Sequence, residues 1–241
     1  MDGIADSAFF SSIREATRFF IVRHGQSVGN ASRLFQGQLD MPLDDRGRAQ
    51  ARGVGQWFAK EAVDAVVSSP LLRAAETARL VAAACSLPGI RLDPSFTEID
   101  TGIFTGLGFE ESRERHPEVF SAFEAHSWEA VPGAEKAGVL YGRAMRAWSL
   151  LRAAAEGTAA QGGKRAIVCV SHGGFIQWLV RATFGGRSWM PLVSTANCGV
   201  YELLVQPTRA GPAYLQWKLM NFQVPEAEAA PTASALHSGS D

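Results

Sequence analysis

Hydrophobic residues along the chain follow two periods. Residues 18–22, RFFIV, form a short apolar run closing on Arg23 and His24, as in a strand buried on both faces. Between 45 and 60, Ala49, Val54, Trp57 and Phe58 recur at helical spacing, and 63–67 is a second strand. Helices are predicted over 71–85, on Leu72, Ala75, Ala78, Leu80 and Ala84, and over 137–154, on Leu140, Ala144, Ala147, Trp148 and Leu151. The most apolar strand, 166–170, runs into a helix over 175–184, and 200–205 and 214–222 read as closing strands. Strands alternating with amphipathic helices predict an α/β fold with helices on both faces of a mostly parallel sheet. Residues 1–17 lack a strand pattern and read as a loose N-terminal arm or short helix. Residues 225–241, small, polar and carrying two prolines, read as a disordered tail. One domain over 18–224 remains, with an insertion at about 101–165.

Composition narrows the classes without choosing among them. With 46% hydrophobic and 20% charged residues over 241 positions, the chain is neither disordered nor fibrous. The 23 Lys and Arg against 24 Asp and Glu give a net charge of -1, which argues against a nucleic-acid-coating protein. No apolar stretch approaches the roughly 20 residues that span a bilayer, so no membrane partner is expected. Three scattered cysteines, Cys85, Cys169 and Cys198, form neither a disulfide framework nor a zinc motif. With no basic leader at the start, the expectation is a cytoplasmic protein.

The chemistry gathers at strand ends, where α/β sheets build their sites. The first strand closes on Arg23-His24-Gly25, and the later one on Ser171-His172-Gly173-Gly174. If the two strands are neighbours, both imidazoles face one pocket. Arg73 follows the end of a third strand and opens a helix. Two guanidiniums and a second imidazole invite a phosphoryl group, whose oxygens match the Arg fork. A neutral imidazole can attack phosphorus and form a phosphohistidine. Glu98, a carboxylate among apolar residues, can hand a proton to the leaving oxygen. Asp100, two residues on, is its rival. Zinc on His24, His172 and Glu98 is disfavoured by the adjoining arginines, and GxGxxG is absent after the first strand, so neither metal nor cofactor is expected.

With these motifs in view, the chain resembles the histidine phosphatase superfamily, the phosphoglycerate-mutase-like proteins with an Arg-His-Gly motif. The resemblance covers roughly residues 18–205. It rests on VRHGQSVGN (22–30), LFQGQLDMPLDDRGRAQA (34–51), SSPLLRAAETA (68–78), EIDTGIFTG (98–106), PGAE (132–135), VSHGG (170–174) and NCGV (197–200) in order. It implies a three-layer α/β/α sandwich with a small helical insertion. It also implies that His24 is the phosphorylated nucleophile, that Arg23, Arg73 and His172 bind the phosphoryl group, and that Glu98 is the proton donor. Asn30 then reaches the phosphate, and Gln36 and Gly37 close on the rest of the substrate. The chain departs from the family pattern at Gln26, usually Glu, at Ile103-Phe104-Thr105, usually bearing tryptophan, and at Glu135, a loose match.

The expected activity is metal-independent hydrolysis of a small-molecule phosphomonoester. Phosphoglycerate-mutase-type transfer and a non-catalytic phosphoryl-binding scaffold are the alternatives. The modest insertion resembles that of the phosphatase branch rather than the longer, Arg-Arg-containing insertion of the glycolytic mutases. Its Phe104, Phe109, Phe120, Phe123 and Trp128 either pack on one another or wall the pocket. A homodimer is compatible with the sequence, which locates no pairing face.

Overall fold

The computed structural model describes residues 3–4, 9–157, 164–209 and 211–225. Among these, β1 (Ala16–Arg23), β2 (Ala65–Ser68), β3 (Arg91–Leu92), β4 (Lys164–Ser171), β5 (Val200–Gln206) and β6 (Tyr214–Phe222) make one sheet in the order β3-β2-β4-β1-β5-β6. The first four strands in that order run parallel, and β5 and β6 close the other edge antiparallel. The helices are α1 (Val28–Ala31), α2 (Asp45–Phe58), α3 (Leu72–Ala84), α4 (Phe109–Arg115), α5 (Pro117–His126), α6 (Ala137–Gly157) and α7 (Gly173–Thr183). None of the described helices is long and apolar enough to cross a membrane.

Strand pleating makes the layers. Successive side chains leave opposite faces, so Phe20 and Val22 pack with Val54, Phe58, Ala78 and Val81 of α2 and α3. Phe19 and Ile21 pack with Trp148, Leu151, Phe175 and Leu179 of α6 and α7. This is the α/β/α sandwich with a mostly parallel sheet that the sequence predicts. Helix α2 begins where the Asp44 carboxylate accepts the Gly47 N–H at 2.7 Å, a cap contributing about 1 kcal/mol.

Three expectations are corrected. Among the described residues of 1–17, β1 already starts at Ala16, and Ile4, Phe10 and Ile13 are buried rather than loose. Phe10 stacks on Phe19 at 5.6 Å and meets the edge of Trp148 at 6.1 Å, sealing the α6–α7 layer. Three apolar residues without a common period leave no pattern to read, yet each contributes roughly 1.5–3 kcal/mol when buried. The insertion is shorter than 101–165, because α6 packs on α7 and β4 as a layer helix. Helix α7 starts at Gly173 rather than 175, directly off β4, with the two glycines in its first turn. The expected tail lies outside the described residues except for its first residue, Pro225.

Candidate active site

The order β2-β4-β1 puts three strand ends side by side. Val22 is level with Val170 and Arg23 with Ser171, so His24 and His172 leave adjacent strands together. Their ring centroids are 5.1 Å apart. From the end of β2, Ser69 and Pro70 lead into the first turn of α3 and Arg73. The cavity above these ends, about 310 Å³, is lined by seven of the eight expected residues: Arg23, His24, Asn30, Gln36, Gly37, Arg73 and Glu98. His172 is fully buried and lies outside the wall, against the His24 ring.

The backbone sets the tautomer of His24. Its Nδ1 lies 2.6 Å from the carbonyl oxygen of Gly25. A carbonyl only accepts, so Nδ1 carries the ring hydrogen and Nε2 keeps its lone pair. Burial first, then the charges of Arg23 and Arg73, hold the His24 pKa well below 6.5, so the ring is neutral at pH 7. His172 is pushed the same way, by burial and then by Arg73, His24, Arg23 and Arg143. Its Nε2 is 2.7 Å from the Ser69 hydroxyl, whose oxygen already accepts the Leu71 N–H. The Ser69 hydroxyl can in turn donate to Nε2, and in that tautomer Nδ1–H is the free donor of His172.

Arg73 is buried and Arg23 half-buried, and the hydrogen bonds they make go to carbonyls. Arg73 donates to Leu39 O at 2.6 Å and Gly37 O at 2.9 Å, and Arg23 donates to Thr195 O. Three buried polar atoms of the site have no hydrogen-bond partner: Arg23 Nε, Arg73 Nε and His172 Nδ1. A buried donor without an acceptor costs about 1–3 kcal/mol, more for a charged group, and one anion can satisfy several at once. Arg73 is 1% exposed, so the alternative of a surface helix arginine paired with Glu76 fails; Glu76 faces Arg48 instead.

Glu98, not Asp100, faces the cavity. Asp100 is exposed and caps the N–H of Gly102 at 2.9 Å. The Glu98 carboxylate sits on the first turn of α7. Oε1 accepts from Phe175 N and Ile99 N at 2.9 Å each, and Oε2 accepts from Gly174 N at 3.1 Å. Oε2 thus carries one amide donor against two on Oε1. Gly174 makes the approach possible, since a Cβ there would stand 2.6 Å from Glu98 Oε1.

The three expected substrate contacts are also gripped locally. Asn30 Oδ1 takes donors from Ser27 N and Asn197 Nδ2, so its NH2 is what it offers the cavity. Asn30 thus both caps a turn and lines the site. Gln36 Oε1 accepts from Ser27 Oγ at 2.8 Å. Gly37 has φ +49, and a Cβ there would meet Thr101 Oγ1 at 2.6 Å.

Sequence reasoning missed the far wall and one support. Gln177, Trp189, Leu192 and Thr195 line the cavity without any motif marking them. The loosely matching Glu135 faces Arg143, not the cavity: Arg143 Nε and Nη2 reach its carboxylate at 2.9 and 2.6 Å. Arg143 Nη1 also donates to Thr97 O at 2.6 Å, steadying the backbone beside Glu98. Cys198 is buried, and burial pushes its thiol pKa up to about 12.

A buried, anion-seeking pocket with a neutral imidazole, at the C-terminal ends of a parallel sheet, defines a phosphoryl-site class of α/β protein. Comparison with known proteins agrees. The sequence profile of the histidine phosphatase superfamily, branch 1, matches residues 19–218, and the chain belongs to that superfamily. It is 34% identical over 195 residues to phosphoglycerate mutase-like protein 4 of Arabidopsis thaliana, covering 79% of this chain and 82% of the relative. It is 34% identical over 166 residues to the metal-independent phosphoserine phosphatase of the same plant, covering 68% and 67%. A mycobacterial glucosyl-3-phosphoglycerate phosphatase, solved with VO3, superposes with a TM-score of 0.74 at 26% identity, covering 85% of this chain and 98% of that one.

Proposed function

We propose that this chain hydrolyses small-molecule phosphomonoesters through a phosphohistidine on His24, with Glu98 as general acid and then base. The observation that carries the proposal is the Gly25 carbonyl on Nδ1, which leaves the Nε2 lone pair free beside Arg23 and Arg73. Nε2 attacks phosphorus and the P–O bond to the leaving group breaks. The Glu98 proton goes to the departing oxygen. Glu98, now a carboxylate, takes a proton from water as the water oxygen attacks phosphorus. The P–N bond breaks, inorganic phosphate leaves, and both side chains are restored. Arg23, Arg73, the His172 Nδ1–H and the Asn30 amide neutralise the equatorial oxygens throughout, without a metal ion in any step.

The test is p-nitrophenyl phosphate hydrolysis in EDTA, with trapping of the acid-labile phosphoryl adduct. His24→Ala is expected to remove the adduct and lower kcat at least about a thousandfold. An adduct that survives in His24→Ala refutes the mechanism. Interconversion of phosphoglycerates without phosphate release would replace hydrolysis by transfer.

A further inference from the structure

Building on the phosphatase reading, we infer that the outer part of the same cavity is a subsite for an uncharged, ring-bearing leaving group. Four charge-bearing or titratable residues line the cavity among those described, namely Arg23, His24, Arg73 and Glu98, and they form the phosphoryl end. The remaining wall is neutral: beside the amide and hydroxyl side chains such as Gln36, Gln177 and Thr195, it carries four aromatic rings, those of Phe35, Phe123, Trp128 and Trp189. Phe35, Phe123 and Trp128 are contiguous, with Phe35 to Trp128 at 5.2 Å and Phe123 to Trp128 at 4.7 Å between ring centroids. Behind them Phe104 and Phe120 are fully buried, whereas the three wall rings are only half-buried. The cluster therefore packs on itself and keeps one open face on the cavity, joining the two alternatives that the sequence left. Trp189 and the exposed Leu192 continue the wall from the segment after α7.

An aromatic wall rewards an apolar ring by burial and by edge or offset stacking. It penalises a carboxylate-bearing alcohol such as serine or glycerate. That carboxylate would lie against rings and near Glu98, with no cation among the described lining residues free of the phosphoryl group to pair it. At about 310 Å³ the cavity is at the lower end of small-ligand sites, roughly 300–1,000 Å³. It accommodates a phosphoryl group and one ring.

The test compares alkanol leaving groups, so that the ease of phenoxide departure does not intervene. The substrates are 2-phenylethyl phosphate, O-phosphoserine and 3-phosphoglycerate, with p-nitrophenyl phosphate as the control for turnover. The expected kcat/KM is at least about tenfold higher for 2-phenylethyl phosphate. Trp128→Ala should erase most of that preference through KM. Leu192→Lys, at an exposed position where folding is not at risk, should raise kcat/KM for phosphoserine and lower it for the phenylethyl ester. Equal or better use of phosphoserine or phosphoglycerate by the unmodified protein overturns the inference, as does a preference untouched by Leu192→Lys. Failure on all four substrates would instead remove the phosphatase reading beneath it.

Discussion

The two site histidines make the protein acid-sensitive. Both are held well below the ordinary 6.5, His24 by burial, Arg23 and Arg73, and His172 by burial, Arg73 and its other cationic neighbours. In the unfolded chain the same rings titrate near 6.5. As pH falls below that value, the unfolded state binds two protons that the folded state refuses, so acid favours unfolding. The stabilisation is complete above pH 6.5 and is lost as pH falls towards the depressed folded values. Two protons give a limiting slope of about 2.7 kcal/mol per pH unit. Integrated from pH 7.5 to 5.5, the loss is at most about 1.4 kcal/mol per ring and about 2.7 kcal/mol for the pair, reached when neither folded ring takes up a proton in that interval. Against a total of about 5–15 kcal/mol this is a large share.

Urea unfolding at pH 7.5, 6.5 and 5.5, followed by tryptophan fluorescence, measures it. In His172→Gln, which cannot take up the proton in either state, the loss should shrink by up to about 1.4 kcal/mol. His24→Asn should do the same, and the double variant should be flat in this contribution. The difference between unmodified protein and variant isolates these rings from every other group. A variant that loses as much stability as the parent over this range would refute the assignment of buried, neutral histidines beside the two arginines.

Two further substitutions probe the supports. Gly174→Ala places a Cβ 2.6 Å from Glu98 Oε1 and must displace the carboxylate; kcat for p-nitrophenyl phosphate should fall about a hundredfold, with the circular dichroism spectrum retained. Arg143→Met leaves Glu135 charged and without its partner, in a pair whose side chains are 9% and 14% exposed. The stability loss in urea should be about 3 kcal/mol, and Arg143→Lys should recover little, because an ammonium cannot make the two-pronged contact.

What could be read from the sequence divides by the kind of partner each residue uses. His24, His172 and Arg73 were legible because each stands beside its own strand end, so local periodicity places it at the site. Their convergence was only conditional on strand order. The β2-β4-β1 order comes from long-range pairing and leaves no trace in periodicity. Glu98 and Asp100 could not be separated, since a loop can present either. The choice is made by the amides of α7 and by Arg143 holding Thr97 from a helix 46 positions further on. Arg143 itself reads as one more cation on α6, and Glu135 as an imperfect motif, until their pairing is seen.

The far wall was least accessible, for a sharper reason. Arg181 is buried and spends its donors on the carbonyls of Ser188, Trp189 and Pro191 and on the carbonyl and side-chain oxygens of Gln177. Gln177 in turn exchanges hydrogen bonds with the backbone of Val193. These contacts hold Trp189, Leu192 and Thr195 at the cavity. The partners are mostly main-chain atoms, which carry no residue identity, so no side-chain pattern in 188–195 can announce them. The titratable residues of the cavity are thus encoded in residue types, and the wall from Trp189 to Thr195 in backbone path. Substitutions that alter the path of this loop should therefore change which alcohol departs more than how the phosphoryl group is handled.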